Sequence, residues 1–429
     1  MNRALIRVVT VAGAAVVAVL PALVSAVPAQ ASGGASVSQS AASYTPFLTS
    51  ANSEVDQIVQ CGSTMYAVGS FTQVGVPSGT KYARANAFSF SATTGAVTSW
   101  NPGVNGHVSG IALSSNCASA YLGGTFTSVH ASAVTNLAEV NTSSGAVVSA
   151  FRPQPDKTVF SLLVHGAQLI VGGEFTSIGG GARTALASVS STSGALNSFT
   201  SVGISGVIPG NSGVTRVFKL RGSPNGSRVL VLGNFSRVGS SARQQAFIAD
   251  FGTSSTALDS WYSPTLSEPC SSKQAYYVRA GTWSPDGSRV YFATTGDFGQ
   301  SPLCDAAVAF SSASSGTLSP IWTNKTGCDS MFSVAADSTA VYFGGHERWA
   351  DNEKGCDKAG AGSVSRPGIG AMSVSSGRAL AWDPTRDRGH GAMDQLRTSA
   401  GLWVASDDYL NSKLCAGSYH PGICFFPNG

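Results

Sequence analysis

The chain has 429 residues, of which 11% are charged and 43% hydrophobic, with 50 glycines, and this excludes both a charged disordered chain and a long helical coiled coil. Its formal net charge is +4, and Arg3 and Arg7 lie in a removable leader that has no acid, so no strongly basic surface is left for nucleic acid. A Gly/Ser/Thr/Val-rich all-β protein fits this composition.

The first element is a leader over residues 1–31: a short basic start to Arg7, an uncharged apolar run from Val8 to Leu20, and Ala29-Gln30-Ala31 as a small-residue cleavage signal. That run is too short to span a bilayer as a helix, and no later segment reaches the 18 or so apolar residues a span needs. The mature chain is therefore expected to be secreted and extracellular, without a membrane span, and monomeric. Residues 32–43 read as a Ser/Gly/Ala-rich tether, and 44–429 as the folded domain.

All eight cysteines follow the leader. In an oxidising compartment disulfides are expected, and sequential pairing is the simplest of the many connectivities: Cys61 with Cys117, Cys270 with Cys304, Cys328 with Cys356 and Cys415 with Cys424. No Cys-x-x-Cys pair or zinc-finger spacing competes with this reading.

From residue 66 onward one unit is written repeatedly. Its clear copies are Tyr66-Ala-Val-Gly-Ser-Phe-Thr-Gln-Val74, Tyr121-Leu-Gly-Gly-Thr-Phe-Thr-Ser-Val129, Ile170-Val-Gly-Gly-Glu-Phe-Thr-Ser-Ile178 and Val231-Leu-Gly-Asn-Phe-Ser-Arg-Val238. Degenerate copies begin at Val290, Val341 and Leu402. The Phe anchors at 71, 126, 175, 235 and 298 are 55, 49, 60 and 63 residues apart. Each copy follows an alternating segment, such as Val159 to Val164, and precedes a second apolar run, a turn and a short aromatic strand, as in Gly377 to Trp382. Period-two alternation between Gly/Ser/Asn turns gives four short strands per unit. Seven such units predict a single β-propeller of seven four-stranded blades. The last unit is one strand short and Tyr44-Thr-Pro-Phe-Leu-Thr49 resembles a terminal strand, so the N-terminal strand is expected to complete the last blade.

The motif Gly-Gly-x-Phe-Thr-Ser-Val, followed by Arg or Asn, Leu-Ala and Ser-Gly-Ala-Val, resembles the delta-60 repeat of secreted bacterial, actinobacterial-type β-propellers. The likeness runs from about Tyr44 to Gly429 and includes Ser365-Arg-Pro-Gly-Ile369, which puts Arg366 among the candidate residues. It implies an architecture and assigns no reaction.

Three places could carry chemistry. The residue before each Phe anchor is polar throughout: Ser70, Thr125, Glu174, Asn234, Asp297, His346 and, in the last unit, Asp407 or Asp408. Pointing one way, these would make a polar ring for water, a cation or sugar hydroxyls; otherwise they cap strand ends. The insertion His346-Glu347-Arg348-Trp349, continuing to Asp357, combines an aromatic face, a guanidinium and carboxylates that could hold a sugar or peptide. Within it Asp351, Glu353 and Asp357 are candidate calcium ligands without the EF-hand spacing. The segment from Asp383 to Asp394 gathers Arg386 with other charges and reads as a salt-bridged connector more readily than as part of the rim.

No nucleophile elbow, zincin pattern or phosphate loop is present. A binding or interaction module for a glycan, peptide or cell-envelope protein is therefore expected ahead of an extracellular carbohydrate-active or quinone-dependent enzyme. A quinone cofactor is disfavoured, because no two cysteines are adjacent and Trp100, Trp261, Trp322 and Trp382 look like structural docking residues.

Overall fold

The computed structural model describes residues 34–209, 213–270, 277–296, 301–384, 391–407, 415, 417 and 420–429. Among these the protein is all-β, its one helical element being the short 3-10 turn Pro264–Ser267. Among the described residues no helix is long and apolar enough to cross a membrane.

Seven antiparallel meanders follow one another along the chain. Each begins with a pair of six- to eight-residue strands that the repeat predicted: Glu54–Cys61 with Thr64–Ser70, His107–Leu113 with Ser119–Thr125, Val159–His165 with Gln168–Gly173, Arg216–Gly222 with Arg228–Asn234, Tyr277–Trp283 with Arg289–Thr295, Met331–Ala336 with Ala340–Gly345, and Ala392–Arg397 with Gly401–Ser406. A third strand pairs with the second in every meander. The third, fourth and fifth sheets have a fourth strand, whereas in the first, second and sixth it is reduced to single bridges at Val97, Val147 and Ala379. The tail of the motif (Phe-Thr-x-Val) leaves the sheet and forms a small separate hairpin, as in Ser177–Ile178 with Gly181–Ala182. This excursion is what lengthens the repeat.

The apolar positions of these strands do not form one core. They form seven clusters, each between one sheet and the next in sequence, and the last joins Trp403, Ala405, Ile423 and Phe425 of the seventh sheet to Val55, Ile58, Phe88 and Phe90 of the first. The first strand of each sheet likewise touches the first strand of the next, and Ala392–Arg397 touches Glu54–Cys61. Indole docking repeats the theme. Trp100 donates to the Asn141 carbonyl, Trp261 to that of Ser311 and Trp322 to that of Val374, each on the following sheet. Trp322 also packs where a Cβ on Gly377 would lie, at 2.5 Å, so that the turn before the last strand needs glycine both for space and for its φ of 71°.

All eight cysteines are paired as the sequence order suggested, Cys61–Cys117 joining the first two sheets. The N-terminal segment differs from expectation. Phe47–Leu48 pairs with Gln73–Gly75, an accessory strand beside the first sheet, while Leu48 N also donates to Pro421 O at 2.9 Å and Thr45 Oγ1 to Ile423 O at 3.3 Å at the seventh. It is residues 36–42, read from composition as part of a tether, that run along Ile423–Pro427: Ser38 N donates to Pro427 O at 2.7 Å, Ala42 N to Phe425 O at 2.8 Å, and Val37 bridges Asn428 with its side chain buried. Trp382 Nε1 donates to Ser38 O at 3.0 Å, an indole bond that for Trp100, Trp261 and Trp322 goes to the end of a third strand.

Candidate functional site: one cavity walled by seven strand bulges

In every sheet the first strand slips register against the second at the equivalent place, leaving one residue unpaired. The seven bulged residues are Asp56, Ser109, Phe160, Phe218, Arg279, Phe332 and Met393. All seven are half-buried, follow a buried apolar residue, and line a single cavity of about 250 Å³. A bulge adds a residue without a cross-strand partner and re-aims its side chain; here seven of them converge. His107, Arg216 and Lys219 complete the wall.

In several sheets the residue after the bulge fastens one sheet to another. Gln57 Oε1 accepts from Ile111 N at 3.0 Å and Ser161 Oγ from Leu220 N at 3.0 Å. Asp394 Oδ2 accepts from Ile58 N at 3.3 Å, which ties the seventh sheet to the first, while its Oδ1 receives Arg221 Nη2 of the fourth sheet at 2.8 Å.

Charge is segregated around the cavity. On one side Asp56 Oδ2 lies 2.5 Å from His107 Nε2, and Glu54 Oε1 lies 3.6 Å from the same nitrogen. Burial pushes the His107 imidazole down, but its hydrogen bond to Asp56 and the charges of Asp56 and Glu54 outweigh that and hold it above its ordinary value. Glu54 is raised by burial and by Asp56 and Asp407, against the pull of His107. These three donors lie within 4.8 Å of one another, the one such group among the described residues that could share a divalent cation.

On the other side stand Arg216, Lys219 and Arg279 among Phe160, Phe218 and Phe332. Burial lowers Lys219 and Arg279, and neighbouring cations add to it: Arg221 and Arg279 act on Lys219, and Arg216 acts on Arg279. Asp394 and Asp56 pull Lys219 back, and Tyr277 does so for Arg279.

The polar residues before the Phe anchors sit, where described, at or just after the ends of the second strands. Glu174 sits at the cavity edge, 3.7 Å from Arg216, and His346 packs edge-on against Phe332 at 4.9 Å. Asn234 is buried and holds a loop, bonding Ile208 N and Val214 O. Ser70, Thr125 and Asn234 pair with Glu54, His107 and Arg216, so the polar residues nearest the cavity belong to the first strand and not the second. Asp297, Arg386 and Asp408 lie outside the described residues.

The 346–357 insertion serves its own loop. Arg348 forks onto Asp329, with Nε and Nη2 each at 2.7 Å, reaches Asp357 at 2.5 Å, and stacks on Trp349; Cys328–Cys356 closes the loop. Glu347 and Arg366 are buried, Arg366 bonding the Ser365 and Leu380 carbonyls and lying 3.6 Å from Asp383. The calcium candidates are not gathered: Asp351 bonds Asn324 and the Ala379 amide, Asp357 takes Arg348, and Glu353 acts on Lys325.

No family model matches the chain, and no curated protein matches it. Among solved structures it is similar to the computationally designed Ika8 protein, at 8% identity and a TM-score of 0.46, over 89% of this chain and 98% of that one.

Nothing in the sequence-level motif pointed to the bulge. What the sequence does carry is an apolar residue before each bulged one, Val55, Val108, Val159, Val217, Val278, Met331 and Ala392. Aligning the units on that residue, instead of on the Phe anchor, lines the seven positions up.

Proposed function

We propose that the chain is an exported, seven-bladed β-propeller of the delta-60 type that works as a binding module, taking a glycan, peptide or cell-envelope component at the mouth of its axial channel. The supporting observation is the convergence of seven bulged side chains, one per sheet, on one cavity. On this reading the seven meanders are blades, the cluster between the last and first sheets is the seam, and the cavity is the axis. The four disulfides agree with export.

Binding is favoured over catalysis because Glu174 and Arg348 are already committed to partners of their own. An enzyme using Glu174, Asp297, His346 and Arg348 would need them to meet, yet Glu174 pairs with Arg216 while Arg348 is committed to Asp329 and Asp357 in a separate loop.

The test is the melting temperature of the folded chain against a panel of polysaccharides and peptides, because a ligand of the folded state raises it by mass action. The axial site predicts that Ser109→Trp, which fills the cavity, abolishes the shift and that Arg348→Ala keeps it. The reverse pattern would return the site to the 346–357 rim.

A further inference from the structure

Most ionic groups at the cavity already have a partner. Arg221 is paired with Asp394, Arg216 lies 3.7 Å from Glu174, and His107 is bonded to Asp56. Lys219 and Arg279 are the exceptions. Among the described residues no acceptor lies within hydrogen-bond distance of either, and both are half-buried and line the cavity. Arg279 is held between two rings, 5.5 Å from the centre of Phe218 and 5.7 Å from that of Phe332. This clamp fixes the guanidinium plane and leaves its N–H donors unused.

Removing a cation from water is costly, and for Lys219 the charges of Asp394 and Asp56 offset only part of that cost, while Arg279 adds to it. The cost disappears when a ligand brings the anion. We infer that Lys219 and Arg279 receive the carboxylate of an acidic sugar, so that the ligand is a uronic-acid-bearing polysaccharide. This rests on the axial-site reading and adds the ligand class to it. A guanidinium fork with an ammonium in the same cavity suits a carboxylate, Phe160 offers an apolar face to a sugar ring, and Ser109 and Asp56 can bond its hydroxyls. A bare inorganic anion would use the cations and leave the other groups idle.

The experiment is calorimetric titration of the full chain with oligogalacturonate and with a neutral galactose oligomer of the same length. The acidic oligomer is expected to bind at least tenfold more tightly. Arg279→Gln and Lys219→Met should each remove that preference without weakening the neutral oligomer, and Lys219→Met should raise the melting temperature of the unliganded chain by relieving the buried charge. If both oligomers bind alike, lose binding in Ser109→Trp and ignore the two cation variants, the uronate inference falls and the axial site stands. If binding survives Ser109→Trp, the axial site itself falls. Binding of an acidic peptide in place of the oligogalacturonate, or of neither oligomer, also overturns the uronate assignment. Should a variant fail to fold, the acid-to-neutral ratio on the wild type, measured in low and high salt, decides alone.

Discussion

His107 shows how one side chain reports its surroundings. Its folded-state pKa is raised above 6.5, against burial, by Asp56 and Glu54. Stability linked to this proton is therefore fully present below the unfolded imidazole value and is lost as pH rises through the folded one. An NMR titration of His107 should give a midpoint above 6.5 in the wild type. In Asp56→Asn, where burial outweighs the remaining Glu54 charge, the midpoint should drop to or below that value. A wild-type midpoint below 6.5 would contradict the geometry of the pair. At this scale the sequence was least informative. It marks Asp56 and Arg279 as ordinary alternating-strand residues, because a bulge depends on how two strands settle against each other and leaves no composition signature. Arg348 and Trp349 misled for the opposite reason: charge and aromaticity crowd together there to staple a loop.

At the scale of the element, the instructive segment is 36–42. Low complexity and the lack of alternation suggested a tether, yet Val37 is buried and the backbone bonds Ile423–Pro427. Ser36, Arg397 and Tyr342 also meet on Asp337, whose carboxyl is held well below its ordinary value: burial raises it, but hydrogen bonds from Ser36, the Thr339 and Ala340 amides and Arg397 prevail. This latch is in force above the ordinary carboxylate range and is lost as pH falls through the depressed value. Deleting residues 32–43 should cost on the order of 4 kcal/mol, from one buried valine and a few hydrogen bonds, and lower the melting temperature. An unchanged melt would mean that the segment is a tether after all. The strand pairs themselves were legible, since Tyr66 to Ser70 and its counterparts alternate strongly and sit between turn residues. The partner of the N-terminal strand was not, because likening Tyr44–Thr49 to a terminal strand by residue type carries no information about which sheet edge is open.

The whole molecule is held together between sheets. Seven apolar clusters, the Cys61–Cys117 disulfide, the Trp docking bonds and the Asp394–Ile58 link each join one sheet to a neighbour. The repeat made this architecture readable, since a unit that cannot bury both its faces alone must stack on the next. The cavity was not readable, as it exists where seven strands from across the chain meet, and the motif used to find the units lies one strand further out. In the proposed propeller a ligand at the axis touches all blades at once, and this is the central claim. Hydroxyl-radical footprinting, read by mass spectrometry with and without the ligand found in the melting panel, tests it on side chains that oxidise readily. Met393, Phe160, Phe218 and Phe332 should become several-fold less reactive when ligand is bound, with Trp349 unchanged. Protection of Trp349 with the four cavity residues unaffected would place the ligand on the rim and contradict the account.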